Sequence, residues 1–92
     1  MMDSTYTKTH TRISVIRNGE TTGTTTGTRH EIKLTLSEPE TYTTIDTLNL
    51  VFDEAKYYYA PDSAVIETID NDVDPSMDVM ITGYVITWTT ED

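Results

Sequence analysis

One segment, Ser37 to Pro61 (SEPETYTTIDTLNLVFDEAKYYYAP), carries a helical period, and runs that alternate as strands do lie on either side of it. That arrangement restricts the chain to a sheet with a single helix laid across it. Ser37 is placed to cap the helix, with Glu40 three residues on to close a capping box and Pro39 in the first turn, where its missing N–H costs nothing. Tyr42, Ile45, Leu48, Phe52, Ala55 and Tyr59 recur at steps of three or four and define the expected buried face. Pro61 stops the helix and biases Ala60 out of the α region. The expectation is a helix over 38–60. Leu48, Leu50 and Phe52 also alternate, but the cap and the segment length favour the helix.

Before the helix, residues 5–17 (TYTKTHTRISVIR) alternate, and Asn18-Gly19 follows, a pair that accepts the positive φ of a type I′ hairpin turn. A hairpin over 5–36 results. If the two-residue turn sets the register throughout, residues whose numbers sum to 37 face each other. Ile13 and Val15 then share a face with His30, Ile32, Leu34 and Leu36, the bases gather on the other face, and Lys8 opposes Arg29. His10 and His30 fall on opposite faces. The outer, threonine- and glycine-rich section cannot build a core, so it either leans on a neighbour or, over residues 19–27, is a loop.

After the helix, Ser63–Asp70 reads as a third strand, 70–78 as a turn or loop, and 78–90 as the most apolar strand, giving two C-terminal strands within 63–90. In the last strand Val79, Ile81 and Val85 point one way and Met80, Tyr84, Ile86 and Trp88 the other, so both faces want cover. The fold class is α+β: an antiparallel sheet with one helix packed across it, order ββαββ, with a long N-terminal β-hairpin, in a single domain of 92 residues.

Charge is unevenly placed. Residues 1–45 hold five acids and five bases, whereas 46–92 hold eleven acids and Lys56 alone, so the formal charge of -10 sits in the second half. Such a field disfavours nucleic acid and anionic lipid and favours basic partners. Threonine is roughly a fifth of the chain and lysine is scarce, a composition resembling that of salt-adapted proteins of halophilic archaea and their viruses. No apolar run reaches membrane-spanning length, the first residues lack the apolar segment of a signal peptide, and cysteine is absent. Location in a virion or the host cytoplasm is the expectation.

Chemistry is thinly signalled. Asp70, Asp72, Asp74 and Asp78 take positions 1, 3, 5 and 9 of a Ca²⁺-loop spacing, but Pro75 replaces the turn glycine and Ile81 the bidentate glutamate, which leaves a candidate cation site and no EF-hand. His10 and His30 have no catalytic companion nearby, and there is no phosphate loop, nucleophile elbow or zinc-helix motif. The chain is therefore expected not to be an enzyme and to need no cofactor. Lys8, Arg12, Arg29 and Lys33 with Tyr6 form a small basic face that Glu31 interrupts.

Two functions fit. In the first, the chain is a non-catalytic assembly subunit of a virion (capsid, neck or tail) of a phage or archaeal virus. It works through protein contacts with like or unlike subunits, made by Asn18, Gly19, Thr22, Thr24, Thr26, Tyr57, Tyr58, Tyr84 and Trp88. In the second, it is an acidic inhibitor whose Asp46, Asp53, Glu54, Asp70, Asp72, Asp74 and Asp78 mimic DNA phosphates.

Overall fold

A computed structural model describes residues 2–71 and 79–92. Its elements run β1 (Met2–Arg17), β2 (Glu20–Glu40), α1 (Ile45–Tyr57), β3 (Val65–Asn71) and β4 (Met80–Glu91), in the expected ββαββ order. The four strands form one antiparallel sheet of spatial order β1-β2-β4-β3, so β1 and β3 are its two edges. Asn18 and Gly19 turn the hairpin with φ of 53° and 80°, the double positive φ that a type I′ turn requires.

The hairpin departs from its expected register one step from the turn. Arg17 pairs with Glu20 and Ile16 with Thr21, but Val15 pairs with Gly23, which makes Thr22 an extra residue in β2. Every pair below that bulge sums to 38 instead of 37, from Val15↔Gly23 to Met2↔Leu36. A one-residue slip exchanges faces. Ile13 and Val15 therefore lie on the face away from Ile32 and Leu34, while Tyr6 pairs with Ile32 beneath the helix. Lys8 faces His30 and not Arg29, and His10, opposite Thr28, shares the face of His30. The threonine and glycine segment is strand throughout and not a loop.

The helix is shorter than expected and starts later. β2 runs on through Ser37, Pro39 and Glu40, so Ser37 is not the cap. Thr44 takes that role: its backbone is extended and its Oγ1 accepts a hydrogen bond from the Thr47 amide at 3.1 Å. Thr44 also donates to Thr47 Oγ1, and Thr47 donates to Glu40 Oε1 at 2.7 Å, which ties the first turn to the end of β2. At the other end Ala60 N–H bonds to Ala55 O and Tyr59 N–H to Lys56 O, a Schellman closure with Tyr59 left-handed at φ 61°.

The buried helix face is rotated from the expected one. Thr47 and Val51 are buried and Ala55 and Tyr58 partly so, whereas Tyr42, Ile45 and Tyr59 are exposed and Leu48 and Phe52 only half-covered. The core joins Val51 to Ile32, Leu34, Tyr84 and Ile86. In β4 the register shifts at Thr82, and Ile81 joins Tyr84, Ile86 and Trp88 on the core instead of following Val85. Gly83 follows this shift and lies close against β2, where a Cβ would collide with the Leu34 carbonyl. On the opposite sheet face Thr5, Thr7, Thr9, Arg29, Lys33 and Glu67 are exposed.

Candidate interaction surfaces

The ribbon is the most extended feature. β4 pairs with β2 only from Gly27 onward, so residues 12–26 form a two-stranded section with no third strand among the described residues. At its inner end Asp92 fastens it: the Asp92 amide donates to Thr26 O, its Oδ1 accepts from Thr28 Oγ1 at 2.8 Å, and its Oδ2 lies 3.4 Å from His10 Nδ1. Further out, Arg12 donates to Thr24 Oγ1 at 2.9 Å and Thr22 Oγ1 to the Val15 carbonyl. Ile13 is the one well-buried apolar residue of this section, lying against Gly27, where a Cβ would approach its Cδ1 to 2.5 Å. Asn18 and Gly19 stand exposed at the tip, with Ile16 beside them at 65% exposure.

The other expected contact residues divide. Tyr84 is 2% exposed, its hydroxyl 2.6 Å from Thr43 Oγ1, so it belongs to the interior and cannot form a surface. Trp88 and Tyr58 are half-buried in a row of rings: Trp88 stacks on His30 with centroids 4.8 Å apart, His30 neighbours Tyr6, and Tyr6 stacks on Tyr58 at 5.0 Å. The Tyr6 hydroxyl lies 2.6 Å from His30 Nδ1 and Thr90 Oγ1 2.8 Å from Nε2, so both ring nitrogens are engaged. This row closes the core beyond the helix. Its members are placed together by the bulged register, which is why the unbulged register could not find it. Tyr57 remains outside at 73% exposure, edge-on to Tyr58.

Beside β3 the helix leaves an apolar groove of about 240 Å³, lined by Phe52, Ala60, Pro61, Ala64 and Ile66 among others. Val65 and Ile66, both on edge strand β3, are exposed on opposite faces of the sheet. No sequence signal marked this groove, because it depends on where the helix crosses.

Of the candidate cation ligands, Asp70 is exposed near the end of β3, and Asp72, Asp74 and Asp78 lie outside the described residues. Among the described residues no three His, Asp or Glu side chains gather to hold a metal ion. The basic residues also separate: Lys8 and Arg12 are on the helix side of the sheet, Arg29 and Lys33 on the other, with Arg29 3.5 Å from Glu31. The described carboxylates of the phosphate-mimic reading are divided between α1 (Asp46, Asp53, Glu54) and the end of β3 (Asp70). No described helix is long and apolar enough to cross a membrane. Comparisons with family models, with curated proteins and with solved structures gave no match.

Proposed function

We propose that this chain is a non-catalytic assembly subunit of a virion, built into the capsid, neck or tail of a phage or archaeal virus and acting through contacts with other subunits. The observation that carries this reading is the section of ribbon over residues 12–26, which extends past β4 and presents Ile16 to solvent. Two-stranded ribbons without a third strand or a covering helix are marginal in water, and lateral support from another chain supplies what this one lacks. The apolar balance points the same way. Among the described residues six hydrophobic side chains are buried and eleven large ones are exposed, including Ile45, Leu48 and Phe52 along one stripe of α1. Tyr59 adds a further sign: it is 91% exposed, yet it occupies a left-handed position that glycine would fill without strain. The acid-rich, threonine-rich composition supports a salt-adapted host and its viruses as the setting.

The test is quantitative mass spectrometry of purified particles from a host that expresses the chain. A fixed copy number per particle, retained through salt washing, is the expected result. Recovery of the chain only in the soluble host fraction contradicts the proposal.

A further inference from the structure

Resting on the assembly reading, we infer that copies of this chain join head to tail, edge strand β3 of one adding to edge strand β1 of the next beside the outer ribbon. Three independent features of the two edges converge on this pairing.

Strand direction comes first. In the order β1-β2-β4-β3 every neighbour is antiparallel, so β3 runs opposite to β1. A second copy in the same orientation therefore brings its β3 antiparallel to β1, and the sheet continues with every helix on one side. β1 is 16 residues long and contains neither proline nor a bulge of its own, so its outer hydrogen-bonding groups form an uninterrupted template.

Charge is second. β1 carries Lys8, Arg12 and Arg17 against the single Asp3, while β3 carries Glu67 and Asp70 and no base. The rival arrangement, β1 against its own copy about a two-fold axis, opposes residues with an even sum. Each such register that pairs thirteen or more residues of β1 sets at least one of Lys8, His10 and Arg12 against its own copy or against another of the three. The edges are complementary to each other and poorly matched to themselves.

The third feature fixes the register. The helix side of the sheet carries the even-numbered residues of β1 and, in β3, Ile66 and Thr68. Continuity of that face admits only even sums. At a sum of 82, Asp70 stands opposite Arg12, Ile69 opposite Ile13, Ser14 opposite Thr68 and Ile66 opposite Ile16. Moving by two in either direction loses both isoleucine pairs. In this register the exposed Ile16 lies beside the apolar groove lined by Phe52, Ala60, Ala64 and Ile66 of the added copy, and β3 supports the outer ribbon along residues 11–17. Repeated head-to-tail contacts of this kind give a ring if the rotation closes and a filament if it does not.

The chain has no cysteine, so a directed cross-link reads the register cleanly. Ser14→Cys and Thr68→Cys are both exposed substitutions away from the core. Mixed in a glutathione buffer, the two variants are expected to give a disulfide-linked heterodimer at least tenfold faster than either gives a homodimer, and the double variant is expected to give a ladder. In parallel, Arg12→Glu and Asp70→Lys each weaken self-association roughly tenfold, and the two combined in one chain restore it. A predominant Ser14→Cys homodimer, or self-association without the mixed cross-link, overturns the edge pairing while leaving the assembly reading intact. A chain that stays monomeric at every concentration overturns the edge pairing as well, whereas the assembly reading fails only if the chain is absent from purified particles.

Discussion

At the level of single residues, Tyr59 shows how a local cost and an outward role can coincide. The Schellman closure places it at φ 61°, where an L-residue with a Cβ is disfavoured by about 1 kcal/mol relative to glycine. Its side chain is almost wholly in solvent and returns little packing in exchange. Replacing Tyr59 with Gly is therefore expected to raise the stability of the isolated chain by about 0.5–1 kcal/mol, measured by urea unfolding, and to weaken self-association. Gain of stability with unchanged association would show that the tyrosine makes no contact. Thr22 matters just as much for a different reason. As one extra residue it moves every hydrophobic side chain of β1 to the face opposite its expected one, and nothing in the local composition distinguishes it from the five other threonines of 21–28.

Among the elements, the helix separates what was legible from what was not. Its existence followed from the apolar period, and its stop at Tyr58–Ala60 from Pro61. Its start did not, because Ser37-Glu38-Pro39-Glu40 satisfies the capping-box pattern while also serving as the end of β2. Thr44 competes for the same role and wins once tertiary pairing extends the strand to Glu40↔Ile81. The buried stripe misled because the helix carries two apolar stripes: Thr47, Val51, Ala55 and Tyr58 meet the sheet, and Ile45, Leu48 and Phe52 do not. A substitution pair measures this rotation. Val51→Ala is expected to destabilise by about 2 kcal/mol through lost burial and a cavity. Ile45→Ser is expected to change stability by no more than about 0.5 kcal/mol. Equal losses would contradict the helix orientation. The chain order of the elements and the hairpin were readable because alternation and Asn18-Gly19 act locally; the spatial order β1-β2-β4-β3 and the groove beside β3 were not, since they are made by elements distant in sequence.

For the whole molecule, the decisive quantity is how little this sheet and helix bury for their extent. The principal dimensions are 44 × 30 × 23 Å, with one helix over one end of the sheet and the ribbon beyond it. Against association stands a formal charge of -10 on every copy. Repulsion between copies of that charge extends about 10 Å at 0.1 M salt and about 3 Å at 1 M. Contacts made by apolar edges and backbone hydrogen bonds survive such screening, so salt strengthens assembly here. Sedimentation velocity on the purified full chain, at 0.1 M and again at molar salt over a hundredfold range of concentration, tests this most directly. The expected result is a concentration-dependent shift to larger species that grows with salt; a single monomeric boundary at every concentration and both salts would show that copies of this chain do not associate.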